Sequence, residues 1–71
     1  MTDVVAPVTG LVARVVARSG TKVGAEDWVC VLESMKMEIP IQAGVPGVVE
    51  DVYVEAGQIV NAGDTIARLS A

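Results

Sequence analysis

An internal repeat constrains the fold of this sequence more than any other feature. Residues 6–34 align without gaps on residues 43–71 when the chain is shifted by 37 positions. The aligned stretches share ten identical residues: Ala6/Ala43, Val8/Val45, Gly10/Gly47, Val12/Val49, Val15/Val52, Gly20/Gly57, Val23/Val60, Ala25/Ala62, Asp27/Asp64 and Leu32/Leu69. Repeated sequence often encodes repeated structure. We therefore expect one domain over residues 1–71, built from two units related by a pseudo-two-fold axis and joined by the segment 35–42.

Each copy of the repeat has the pattern of short β-strands. The chain contains fifteen Val, four Ile and four Thr residues, whose branched side chains favour strands. Glycine and proline separate its apolar runs at regular intervals, which is typical of a small all-β barrel or sandwich. Leu11, Val12, Val15 and Val16 would also fit one face of a helix. We reject a helix because this run is short, is bounded by glycine and recurs in the second copy.

The repeat also predicts strand positions and the faces of the last strand in each copy. After an initial strand and a glycine turn, we expect strands at 11–18, 21–23 and 28–33 in the first copy. The equivalent strands of the second copy are 48–55, 58–60 and 65–70. Since Arg68 should face solvent, we expect its set to point outward and Cys30 and Leu32 to point inward. The outward set comprises Val29, Val31, Glu33, Ile66, Arg68 and Ser70.

The size and charge of the chain argue against several classes of function. With 71 residues, nine acidic and five basic, it has a net charge of −4 and no basic cluster for phosphates, which argues against nucleic acid. Its apolar runs are too short to span a membrane, and a chain this small has little room for an enzyme pocket. It contains one cysteine and no histidine, which argues against a zinc site. The lone thiol and the absence of a secretory signal predict a cytoplasmic protein.

The segment between the two copies breaks a local rule. A strand enters and a strand leaves, so Met35 and Lys36 should form the turn of a hairpin. Two-residue hairpin turns favour Asn-Gly, Asp-Gly or Gly-X, because one or both central residues need positive φ. Exposed methionines beside a turn also need an explanation. Since Lys36 has no neighbouring base to activate it, we interpret its amine as an acceptor for modification by another enzyme.

These residues resemble the biotin/lipoyl attachment (biotinyl) domain family. The segment Glu33–Met37 reads E-S-M-K-M and is similar to the family signature E-(A/S)-M-K-M. Ala6–Gly10 resembles the family's A-P-M-x-G opening, and Val54–Val60 resembles its V-x-x-G-x-x-V stretch. Leu69–Ala71 stands where the last strand of the family ends. The resemblance covers essentially the whole chain, which looks like a small stand-alone biotin/lipoyl attachment protein.

The resemblance implies both a fold and a set of site residues. The fold is a flattened barrel-sandwich hybrid of two four-stranded antiparallel sheets. Lys36 matches the residue that a biotin protein ligase biotinylates. Met35 and Met37 match the flanking residues linked to ligase recognition and to presentation of the biotin. Glu33 is either a solvated charge at a strand end or a contact to the ligase. No catalytic or metal-binding residue is implied.

The implied function is that of a biotin carboxyl carrier, not of an enzyme. Biotin on Lys36 would act as a swinging arm that shuttles a carboxyl group from a biotin carboxylase site to a carboxyltransferase site. The implied partners are the ligase and these two carboxylase subunits, with no nucleic acid and no membrane. We expect a monomer when the domain is isolated.

Two alternatives remain open from the sequence. The domain could carry a lipoyl group for a 2-oxo acid dehydrogenase system, although lipoyl domains typically have D-K-A at the turn instead of M-K-M. It could also be an unmodified interaction module, a reading that fits badly with an intact M-K-M turn.

Overall fold

The computed structural model describes residues 1–70, and within them the chain forms eight strands and no helix. The strands are β1 (Thr2–Val5), β2 (Gly10–Val15), β3 (Lys22–Val23), β4 (Trp28–Ser34), β5 (Met37–Gln42), β6 (Gly47–Val52), β7 (Ile59–Val60) and β8 (Thr65–Ser70). They make two four-stranded antiparallel sheets with the orders β1-β8-β6-β3 and β5-β4-β2-β7. The predicted all-β class with two four-stranded sheets is confirmed. Within residues 1–70 there is no helix that could span a membrane.

The two sheets are built alike, because each of the strands β1 to β4 has a counterpart about 37 residues further along the chain, and that counterpart lies in the other sheet. Replacing β1, β8, β6 and β3 by their counterparts β5, β4, β2 and β7 converts one sheet order into the other. The short strand of each copy pairs with the long strand of the other copy, because β3 pairs with β6 and β7 pairs with β2. Hydrogen bonds repeat as well. The Gly20 amide donates to the Val49 carbonyl at 2.7 Å, and the equivalent Gly57 amide donates to the Val12 carbonyl at 2.8 Å.

The long strands β2 and β6 end earlier than the sequence predicted, at Val15 and Val52 instead of residues 18 and 55. Just beyond Val15, the amides of Val16 and Ala17 both donate to the Val29 carbonyl of β4. Two consecutive amides bonded to one carbonyl interrupt the regular hydrogen-bond pattern of an antiparallel ladder. The last residue of the second predicted copy, Ala71, lies outside the described residues.

The core lies between the two sheets and consists of small and branched apolar side chains. Its fully buried members with the largest side chains include Leu32, Ile66, Leu69, Val12, Val29, Val49 and Val60. No polar or charged residue among residues 1–70 is buried. Burial of apolar surface is therefore the main favourable contribution of this core to folding.

The predicted outward face of the last strands is wrong for Val29 and Ile66, while Cys30 and Leu32 point inward as predicted. The register of β4 on β5 skips Val29, and the register of β8 on β1 skips Ile66 at the equivalent position. Each is the extra residue of a β-bulge, which lets two consecutive side chains reach the core. Val31 lies outside the core cluster but is only 1% exposed. Its cross-strand partners Arg14 and Pro40 flank it.

Candidate functional site

The turn between β4 and β5 has an unusual backbone. Ser34 pairs with Met37, so Met35 and Lys36 are the two central residues of the hairpin turn. Their φ angles are +52° and +64°, and they are the only non-glycine residues with positive φ among residues 1–70. Two-residue turns of type I′ need positive φ at both positions, because this matches the twist of the strands. Residues other than glycine adopt a positive φ at a cost of roughly 1–2 kcal/mol per residue.

The side chains at this turn project into solvent. Met35 is 92% exposed and Met37 is 65% exposed. Lys36 is exposed as well, and among residues 1–70 no carboxylate oxygen lies within 4.0 Å of its amine. Large apolar side chains held in solvent gain nothing for folding. The turn therefore presents a free amine between two apolar groups that are available to a partner.

Two carboxylates lie at the base of the hairpin. Glu33 of β4 is the direct cross-strand partner of Glu38 of β5, and both are exposed. Leu11 of β2 is the next residue in the same row and pairs with Glu33 on its other side. Directly opposite residues of antiparallel strands point to the same face. The hairpin thus presents two negative charges on the outer face of its sheet. One residue pair, Ser34 and Met37, separates them from the Met35-Lys36 turn.

Sequence analysis missed the pairing of Glu33 with Glu38. The available signal was that both glutamates stand at the same distance in sequence from the turn. The sequence also indicated no role for Gly10 beyond a turn, although this residue lies against the backbone of Glu33 and the Cβ of Ser34. A close approach of this kind leaves no signal in the sequence beyond the glycine itself.

The hairpin carries few groups that can take part in chemistry. It offers one amine and two carboxylates. Among residues 1–70 there is no group of three Cys, Asp or Glu side chains that could hold a metal ion. A separate shallow cavity of about 130 Å³ lies near the chain ends and is lined by Met1, Thr2, Val45, Pro46, Leu69 and Ser70. None of its lining residues belongs to the hairpin.

A comparison with protein families identifies the group to which this fold and hairpin belong. The family model described as "Biotin-requiring enzyme" (biotin/lipoyl) matches residues 1–69. The chain belongs to this biotin/lipoyl family. The resemblance inferred from the E-S-M-K-M segment is therefore confirmed, and the cofactor of the family is biotin.

Relatives of this biotin/lipoyl domain include both small and large proteins. It is 47% identical over 68 residues to the "Biotinylated protein TB7.3 homolog" of Mycobacterium leprae (strain TN), covering 96% of each chain. It is 38% identical over 65 residues to the "Biotin carboxyl carrier protein" of Streptococcus mutans serotype c. That match covers 92% of this chain but only 50% of the relative.

Two solved structures with the same fold are those of larger carboxylases. The domain superposes on part of the crystal structure of the Kluyveromyces lactis urea carboxylase with a TM-score of 0.91 and 32% identity. That match covers 97% of this chain and 6% of the urea carboxylase chain. A single-chain, multi-domain long-chain acyl-CoA carboxylase matches with a TM-score of 0.86, also at 32% identity, over 93% of this chain and 6% of its own. This biotin/lipoyl domain is therefore similar to one domain of those assemblies.

Proposed function

We propose that residues 1–71 form a biotin carboxyl carrier domain and that Lys36 is its attachment residue. The observation that carries this proposal is the exposed Lys36 amine, held at a two-residue turn with positive φ. Lys36 is free of ion pairs within residues 1–70. Membership of a biotin-requiring family and similarity to a biotin carboxyl carrier protein support biotin as the group attached there.

The residues around Lys36 suit such an attachment. The amine is solvent-accessible, so an amide can form there without unfolding the core. The positive φ values of Met35 and Lys36 keep the turn tight, so the attached group would start from a fixed point. Met35 and Met37 offer flexible apolar surface to a biotin protein ligase, since methionine adapts to varied partners. Glu33 provides a charge that the ligase could contact.

Biotin bound to Lys36 would supply the atom that accepts and releases the carboxyl group. The domain itself contributes position and reach. Because the amine and the two carboxylates of the hairpin are all exposed to solvent, we infer that catalysis takes place on partner biotin carboxylase and carboxyltransferase sites. Occurrence of this fold within carboxylase chains supports such partners. A monomeric state and a cytoplasmic location remain predictions.

The test is the intact mass of the protein after expression with a biotin protein ligase and free biotin. We expect a single biotinyl addition that is lost in Lys36→Arg. Lys22→Arg is the matched control, because Lys22 is an exposed strand lysine with ordinary backbone geometry, and it should keep the addition. Absence of any addition on the wild-type protein would overturn the proposal. A lipoyl addition by lipoyl ligase alone would instead assign the domain to lipoyl transfer.

A further inference from the structure

Gly10 lies in a narrow space between two strands, next to the base of the hairpin. It opens β2 and pairs with Val60 of β7. On the other side of β2 runs the end of β4. A Cβ atom placed on Gly10 would fall 2.7 Å from the carbonyl oxygen of Glu33 and 3.5 Å from the Cβ of Ser34. Since the first distance is well inside van der Waals contact, any other residue would force β2 and β4 apart.

Gly10 lies at the end of β2 that is nearest to the Lys36 turn. The register of β2 on β4 ends at the pair Leu11 and Glu33. Because β5 is the edge strand of the sheet, Ser34 is paired in register only with Met37 of its own hairpin. Residues 34–37 therefore project beyond the end of β2. The orientation of this projecting turn depends on how closely β2 approaches Glu33.

The repeat supplies an internal comparison for Gly10. Its counterpart Gly47 opens β6 and lies against the end of β8 in the other sheet. A Cβ atom on Gly47 would overlap the carbonyl oxygen of Ser70, which is the counterpart of Glu33. The same close approach thus occurs twice in the domain. Only the copy at Gly10 lies beside the Lys36 hairpin, because Ser70 lies near the chain ends.

We propose that Gly10 is a positioning residue for the modification of Lys36. This inference rests on the proposed function. The Lys36 amine has to reach the carboxyl carbon of an acyl-adenylate held by the ligase, form an amide bond, give up a proton and displace the adenylate. Close packing of β2 against β4 fixes the direction from which the amine approaches. Small misplacements of a reacting group lower the rate of such steps strongly.

The experiment compares wild type, Gly10→Ala and Gly47→Ala as substrates of a purified biotin protein ligase with ATP and biotin. Near-UV circular dichroism of Trp28 selects a temperature at which all three are folded. We expect Gly10→Ala to lower kcat about tenfold with KM changed by less than about twofold. Gly47→Ala should change both constants by less than about twofold, although it also introduces a steric overlap. Equal effects of the two substitutions would overturn the inference, because both would then act through stability alone.

Failure of the inference is distinguishable from failure of the proposed function. If the wild-type domain accepts no biotin, the proposed function is wrong. If the wild type is labelled and Gly10→Ala is labelled at the same rate, only the positioning role of Gly10 is wrong.

A second measurement uses the wild-type protein and does not depend on the folding of a variant. If the close packing of β2 against β4 immobilises the base of the hairpin, backbone amide order parameters at Glu33 and Ser34 should stay near the rigid value of about 0.85. Order parameters that fall below about 0.6 already at Glu33 would contradict this role of the packing at Gly10.

Discussion

Glu33 and Glu38 face each other directly across the two strands that present Lys36. Both side chains are exposed, so their charges are partly screened by solvent. Like charges at directly opposite positions still destabilise an antiparallel pair. The same hairpin carries two non-glycine residues with positive φ. Unfavourable local choices are thus concentrated at the attachment site, which is where a function would retain them.

Replacing one glutamate of this pair should stabilise the domain. We expect Glu38→Gln to raise the free energy of unfolding by roughly 0.2–1 kcal/mol at low salt, because it removes the repulsion with Glu33. Urea denaturation at pH 7 measures this change. The gain should shrink at high salt, where the repulsion is screened.

Glu50→Gln is the matched control for this substitution. Glu50 is exposed on β6 and has no direct cross-strand partner, because the register skips it at a bulge. Its replacement changes the net charge by the same amount without relieving a close pair. An equal gain in both variants would mean that net charge, and not the Glu33–Glu38 pair, determines the effect.

The turn itself should respond to residues that favour positive φ. We expect the double substitution Met35→Asn with Lys36→Gly to raise stability by about 1 kcal/mol, because Asn-Gly adopts the required turn at lower cost. Thermal unfolding followed by circular dichroism measures the shift in Tm. Met35 is 92% exposed, so its replacement removes almost no packing.

Met37→Asn serves as the control for the turn. Met37 is also exposed, but it lies in β5 and is not among the residues with positive φ. Asparagine is disfavoured in strands, so this variant should lose a little stability or stay unchanged. A gain at Met37 similar to that of the double variant would argue against turn strain as the cause.

The buried thiol predicts a dependence of stability on alkaline pH. Cys30 is fully buried, and this burial raises the pKa of its thiol. Below about pH 8.5 the thiol is protonated in the folded and unfolded states and has no effect on the balance between them. Above that value the unfolded state releases the proton more readily, so stability should fall as pH rises.

Cys30→Ala tests this contribution. Alanine occupies the equivalent position of the other copy, at Ala67, so the backbone there accepts it. The variant should be less stable at pH 7, because a buried group is removed, but should lose less stability between about pH 8 and pH 10. Urea midpoints measured across this range decide the question. Parallel declines in both proteins would show that other groups cause the alkaline loss.

The sequence predicted the class of the fold and the place of the turn for identifiable reasons. Matched positions such as Gly20 and Gly57 revealed the repeat. Their equivalent hydrogen bonds show that the two glycines occupy equivalent positions in the fold. Met35 and Lys36 were predicted to form the turn from the break between strands. Their positive φ values agree with that prediction.

Other features could not be read from the sequence. Val29 and Ile66 turn inward because each is the extra residue of a bulge, and a bulge shifts the alternation on which face prediction relies. The pairing of Glu33 with Glu38 is different, because a two-residue turn at Met35 and Lys36 already implies it. The close approach of Gly10 to β4 is a property of strand packing and not of local sequence.

Because the two sheets are equivalent, the two copies of the repeat follow one another in a closed cycle around the domain. The shift of 37 positions aligns Ser34 with Ala71 and Met1 with Glu38, so only residues 35–37 have no counterpart. The pairing of Thr2 with Leu69 repeats that of Ile39 with Leu32. In topological terms the domain is a closed loop of two units that is cut at one of its two equivalent corners. The corner that the chain crosses without a break, at residues 35–37, is the one that bears the lysine.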